Sequence, residues 1–158
     1  MSEPRWLDET QKVAWMGLLA VVNRAFPEFE RTLKQHDLLA VQFQVLVTLS
    51  AAPEQTLQLS QLADLANISQ SRLTHRLRLL VERGDVVVTE DPDDGRAKRA
   101  TLTQEGQRRL DVVAPFHVED VQRLIFDPLT ASETKALANA LDKIAAALCC
   151  HPEYLNPR

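Results

Sequence analysis

Apolar residues at helical spacing organise most of this chain. Leu18, Leu19, Val22, Ala25, Phe26, Phe29 and Leu33 return every three or four positions, the pattern of an amphipathic helix. Asp8, with Gln11 three residues on, supplies a capping box ahead of it. Pro27 falls inside the pattern and predicts a kink or a new helical segment, because proline lacks an amide donor and its ring crowds the preceding turn. A second helix is predicted from about Ala40 to Ser50, with "FQVLVTL" as its buried part and Pro53 as its stop.

The next stretch, "LQLSQLADLANISQSRLTHRLRLLVERG", reads as two short helices joined by a tight turn. Ser60 is the expected cap of the first, whose apolar face is Leu62, Ala63, Leu65 and Ala66. Asn67 suits the turn, Ile68 is the apolar residue within it, and Ser69 caps the second helix. There Leu73, Leu77, Leu80 and Val81 form the buried stripe. The opposite side presents Ser71, His75, Arg78 and Glu82, with Arg72 and Thr74 at its margins. Gly84 fits the C-terminal cap. "DVVVTED" and "RATLT", separated by "PDDG", then predict a two-stranded hairpin. Thr103 caps a long helix running towards Phe126, with a kink expected at Pro115 and a stop at Pro128. Thr130 and Glu133 open a last helix through a capping box, and its stripe is Leu137, Leu141, Ile144 and Leu148.

This succession is mainly α: a winged helix-turn-helix with a two-stranded β wing, plus N- and C-terminal helices. At 158 residues the chain is one domain in size. Expected boundaries are an N-terminal helical region at 1–36, the winged helix-turn-helix lobe at 37–103, C-terminal helices at 104–150 and a tail at 151–158. Hydrophobic residues at 45% and charged residues at 25% are ordinary for a soluble globular protein. The longest apolar run, Val13–Val22, with Gly17–Val22 as its most aliphatic part, falls well short of the roughly 20 residues of a membrane span. "MSEPRWLDET" lacks the basic-then-apolar pattern of a signal peptide. A cytoplasmic protein is therefore expected.

Charge changes the picture more. The net charge is −4, which by itself argues against a nucleic-acid partner. Yet Ser69–Arg109 holds nine Lys/Arg against seven Asp/Glu, a local +2, while the rest holds nine against fifteen, −6. Three of the cations, Arg96, Lys98 and Arg99, lie on the hairpin tip and its returning strand. A helix presenting hydroxyl, amide and guanidinium groups has the chemistry for base edges and phosphates. Helix-turn-helix proteins read mainly from the N-terminal part of the second helix. That puts Gln70, Ser71, Arg72, Thr74 and His75 nearest the bases, with Arg76 and Arg78 nearer phosphate. Arg96 suits the minor groove, whose negative potential attracts guanidinium. Asp94 is placed to hold it by a charge-assisted hydrogen bond, and Lys98 and Arg99 to face phosphates. The competing accounts are a solvated polar helix and a solubilising hairpin, and together a winged-helix protein–protein module that binds no DNA.

"LLAVQFQVLVTLS", "LSQLADLANISQSRLTHRLRLLVERGDVV", "DPDDGRAKRATLTQEG" and "FDPLTASE" resemble, in order, the multiple antibiotic resistance regulator (MarR) family. The most specific parts are Asp94-Gly95-Arg96 and Leu102-Thr103-x-x-Gly106. The resemblance implies a homodimeric repressor on a palindromic operator in double-stranded DNA, relieved by a small aromatic or anionic effector. It implies DNA contacts along Ser69–Arg76 and at Arg96, supported by Asp94. It also implies an effector pocket, for which Trp15, Met16, His36 and Phe43 are the candidates. The chain departs from the common pattern at Asp85, where an apolar residue is usual, and at Lys98-Arg99, where small or apolar residues often stand. No catalytic signature, metal site or cofactor is expected: His36, His75, His117 and His151 are scattered. Cys149 and Cys150 are adjacent and imply no disulfide framework; a redox pair and an ordinary helix end are both open readings.

Overall fold

The computed structural model describes residues 4–66, 68–92 and 94–148. Asn67, Cys149, Cys150 and the 151–158 tail lie outside the described residues. The chain begins with α1 (Glu9–Ala20), a π-helical turn (Val21–Ala25) and α2 (Phe26–Gln35). Asp8 and Gln11 form the expected capping box. Pro27 sits in the first turn of α2, and the wider π turn holds Asn23, whose carbonyl the proline ring would otherwise crowd. The helix thus changes register instead of ending.

After α3 (Ala40–Ala51) comes a 3₁₀ turn (Pro53–Gln55) and then β1 (Thr56–Gln58), α4 (Leu59–Leu65) and α5 (Gln70–Glu82). β2 (Val86–Glu90) and β3 (Lys98–Leu102) make the predicted hairpin. The sequence reading did not include β1, which adds a third antiparallel strand in the order β1-β3-β2. Three residues carry too little alternation to announce a strand; β1 exists because β3 offers it an edge. The cap of α4 also differs from expectation. The helix starts at Leu59, one residue ahead of Ser60, and the Gln58 amide donates to Gln61 Oε1 at 3.2 Å. Ser69 does cap α5, accepting from the Arg72 amide at 3.3 Å.

The end of α5 is a full Schellman motif. Gly84 adopts φ 78°, its amide donates to Val81 O at 3.0 Å, and the Asp85 amide reaches Leu80 O at 2.8 Å. α6 (Gln104–Val121) continues through Pro115 and ends in a second π turn (Gln122–Phe126). α7 (Ala131–Leu148) opens with the Thr130–Glu133 box: the Thr130 amide donates to Glu133 Oε2 at 2.8 Å, and the Glu133 amide to Thr130 Oγ1 at 3.3 Å. The Thr130 amide and hydroxyl both donate to that carboxylate, favouring its ionised form and holding it below its ordinary range.

The core lies under the lobe made by α3, α4, α5 and the sheet, with α2 and α6 closing it. Leu33, Leu38, Val45, Leu46, Leu49, Leu62, Leu73, Leu80 and Val86 are essentially inaccessible. By contrast, neither α1 nor the described part of α7 contributes a buried residue.

Candidate nucleic-acid interface

Burial of Leu73, Leu77 and Leu80 fixes the rotation of α5, and the rest of the helix surface follows from that. Ser69, Gln70, Ser71, Arg72, Thr74, His75 and Arg78 are exposed. Ser69 Oγ and Ser71 Oγ lie 3.1 Å apart, and Thr74 Oγ1 donates to Gln70 O at 2.9 Å. Arg78 is further along beside Glu82, at 3.4 Å. Arg76 is half-buried, and its Nε is enclosed without a hydrogen-bond partner.

The wing tip is built by its acids. Asp94 O accepts from the Ala97 amide at 2.8 Å, closing a turn over residues 94–97, and the Asp91 amide donates to Ala97 O at 3.0 Å. Asp94 Oδ1 accepts from the Arg96 main-chain amide at 3.0 Å. The support that Asp94 gives is therefore to the turn's backbone, where a bond to the guanidinium was expected, and Arg96 stands exposed. Arg99 also differs from expectation. Its Nε donates to Asp91 Oδ2 at 2.7 Å, and the Asp91 side chain is fully enclosed. The same oxygen accepts from Gln58 Nε2 at 2.7 Å. Arg99 is thereby drawn into the wing's framework while Lys98 remains exposed.

Helix and wing meet. Gln70, Ser71 and Thr74 from α5 and Arg96, Ala97 and Lys98 from the wing line one open groove, floored by Leu59 and Ser60. Sequence reasoning had the two cationic and polar sets but missed Ser60 as a groove residue, having read it as a cap. It also missed Asp91 and Gln58 as supports, since a carboxylate within an acid run reads as solvated.

The wing's base is anchored by the departure at Asp85. This carboxylate is fully enclosed and accepts from Arg109 Nε of α6 at 2.9 Å; the Arg109 side chain is 27% exposed. Its other oxygen is enclosed without a partner. Thr103 locks the same corner: its amide donates to Asp85 O at 3.1 Å, and its hydroxyl reaches Gly84 O at 2.6 Å and accepts from the Gly106 amide at 3.0 Å. A Cβ on Gly106 would lie 2.1 Å from Asp85 O. The Leu102-Thr103-x-x-Gly106 signature is thus the close approach of α6 to the end of α5.

The four effector candidates are not brought together. His36 stacks on Phe116 with ring centroids 4.4 Å apart, and it lines a second cleft with Arg108, Arg109, Val112 and Val113. Phe43 is buried against His117 at 4.8 Å. Trp15 and Met16 lie on the uncovered face of α1, 52% and 62% exposed. His117 also meets Phe29 at 5.4 Å. Burial in this aromatic setting pushes its imidazole below the ordinary range, against an opposing pull from Asp120. Among the described residues no cluster of His, Cys, Asp and Glu suits a metal ion, and no helix is long and apolar enough to cross a membrane.

Comparison with known proteins gives a consistent picture. A family model described as MarR family matches residues 36–97. The uncharacterized HTH-type transcriptional regulator YkoM of Bacillus subtilis (strain 168) is 30% identical over 132 residues, covering 81% of this chain and 84% of the relative. Among solved structures, Sco3205 of Streptomyces coelicolor, a MarR family transcriptional regulator crystallised in complex with DNA, superposes with a TM-score of 0.86. It is 32% identical, with 94% of this chain and 93% of that one covered. CouR of Rhodococcus jostii RHA1, solved bound to p-coumaroyl-CoA, superposes at 0.71 with 25% identity, covering 82% and 91%.

Proposed function

This chain belongs to the MarR family of DNA-binding transcriptional regulators, and from that premise we propose a homodimeric repressor that reads a palindromic operator and is released from it by a small effector. One observation carries the reading: the polar N-terminal half of α5 and the exposed Arg96 border the same groove. A duplex lying along it meets Ser69, Gln70, Ser71, Arg72, Thr74 and His75 in the major groove and Arg96 in the adjoining minor groove. Lys98 and Arg78 flank that path with charge for phosphates. The net acidity of the chain is no obstacle, because its excess acids lie outside Ser69–Arg109, which carries a local +2.

One subunit presents one reading helix, and a palindrome needs two. The uncovered faces of the N-terminal helices, around the π turn that joins α1 to α2, and of α7 support a two-fold dimer. Val22 and Phe26 are 53% and 55% exposed, and Leu141, Ile144 and Leu148 are 41%, 47% and 78% exposed. Apolar surface of that extent on a soluble chain marks an association surface. For the effector, the cleft beside His36 offers that imidazole, backed by its stacking on Phe116, and the guanidinium groups of Arg108 and Arg109, suited to an aromatic or anionic compound. That p-coumaroyl-CoA is bound by CouR supports an effector of this kind. Arg108 is held by Glu105 at 3.2 Å and Arg109 by Asp85, so binding there competes with existing ion pairs.

Selection of bound sequences from a random duplex pool tests the reading. Recovery of a palindrome, with Arg96→Ala weakening its binding at least tenfold and lowering the salt slope by about one, supports it. Failure to enrich any sequence, with no salt-dependent binding, favours the protein–protein module and overturns the repressor.

A further inference from the structure

Asp91 stands in a run of acids immediately before an exposed tip, yet its side chain is fully enclosed. Enclosing a carboxylate is costly unless hydrogen bonds compensate it, and here one oxygen receives two. Oδ2 accepts from Gln58 Nε2 and from Arg99 Nε, each at 2.7 Å. These donors are neighbours across the sheet: Gln58 and Arg99 are register partners in the β1–β3 pair. Gln58 is also the residue from which α4 starts, and α4 packs against α5. On its other side Asp91 closes the hairpin through its amide to Ala97 O. β2 ends at Glu90, so beyond Asp91 only the tip that carries Arg96 stands clear. One carboxylate therefore joins the helix supporting the reading helix to the two strands that aim the tip.

Resting on the DNA reading above, we propose that Asp91 is a positioning residue for Arg96, fixing the angle of the wing tip to α5 so that one rigid protein meets both grooves. Without it, Gln58 and Arg99 lose their shared acceptor and the tip's orientation to α5 is no longer set. Binding would then have to order the wing, and affinity lost in that way is a loss of preorganisation. Asp91 itself touches no DNA in this arrangement; its effect passes through Arg96.

That dependence separates positioning from simple stabilisation. Fluorescence anisotropy on the selected duplex, over a series of salt concentrations, is measured for the parent, Asp91→Ala, Asp91→Asn, Arg96→Ala and Asp91→Ala/Arg96→Ala. Asp91→Ala is expected to weaken binding about tenfold and to lower the salt slope by about one, as Arg96→Ala does. The double variant should bind no more than about twofold more weakly than Arg96→Ala alone, because coupled residues are not additive. Asp91→Asn keeps an acceptor and should restore most of the affinity. Should Asp91→Ala fail to fold by circular dichroism, Gln58→Leu removes one of the two donors, and the same non-additivity with Arg96→Ala is required of it. The assignment is overturned if the full loss recurs in the Arg96→Ala background, or if Asp91→Ala binds like the parent with an unchanged slope. A parent protein that binds no duplex at all overturns the DNA reading, and this assignment with it.

Discussion

Gly106→Ala sets two effects against each other. Within a helix alanine is preferred to glycine by up to about 1 kcal/mol, so a reading from propensity alone predicts stabilisation. The geometry predicts the reverse. The added Cβ would lie 2.1 Å from Asp85 O and 2.7 Å from Leu102 Cδ1. An optimal non-bonded contact is roughly 3.5 Å, so the first turn of α6 must retreat by about 1.4 Å or the end of α5 must yield. The obstacle is backbone, which cannot swing aside as a side chain can. A retreat of that size stretches the Gly106 amide–Thr103 Oγ1 bond at 3.0 Å and the Thr103 amide–Asp85 O bond at 3.1 Å. Overpacking typically costs about 1–3 kcal/mol and a weakened hydrogen bond about 1 kcal/mol. Less the propensity gain, the net is a loss of about 2 kcal/mol. For a chain of this length that lowers Tm by roughly 4–8 °C. Thermal unfolding followed by circular dichroism, at one fixed protein concentration because the proposed dimerisation would contribute, measures it. An unchanged or raised Tm would refute the close-approach argument.

Three further outcomes follow from the same structure. Arg109→Met leaves the enclosed Asp85 unpaired and should cost about 3 kcal/mol, while Asp85→Leu/Arg109→Met should recover most of that; a double variant melting no higher than the single one rejects the account. Burial lowers the His117 imidazole below its ordinary range, so between its lowered folded value and the unfolded value of about 6.5 the unfolded chain binds more protons. Stability should then fall as pH drops from about 6.5, and His117→Gln should flatten the fall in melts at pH about 7.5, 6.5 and 5.5; an unchanged slope contradicts the assignment. Asp120, lowered by the Thr32 hydroxyl and Arg123, adds its own loss only below about pH 4, which keeps the two windows apart. In sedimentation at micromolar concentration the parent should run as a dimer and Leu141→Asp/Ile144→Asp as a folded monomer; a monomeric parent overturns the proposed association.

The sequence by itself determined whatever depends on neighbours within a turn or two. Stripes at three- and four-residue spacing placed the helices, and the caps at Asp8, Ser69 and Thr130 and the glycine at Gly84 set several of their ends. The resemblance carried by Asp94-Gly95-Arg96 and Leu102-Thr103-x-x-Gly106 named the family. Only the tertiary structure decided which charges are displayed and which are spent inside. Gln58 and Asp91 are separated by 33 positions and Asp85 and Arg109 by 24, and no local pattern marks either pair. The third strand, the capture of Arg99 by Asp91 and the separation of Trp15 and Met16 from His36 and Phe43 have the same origin. Hydrophobic periodicity and end-capping are short-range, so they can be read along the chain. Enclosure of a charge depends on which distant backbone folds over it, and that is settled only when the core closes.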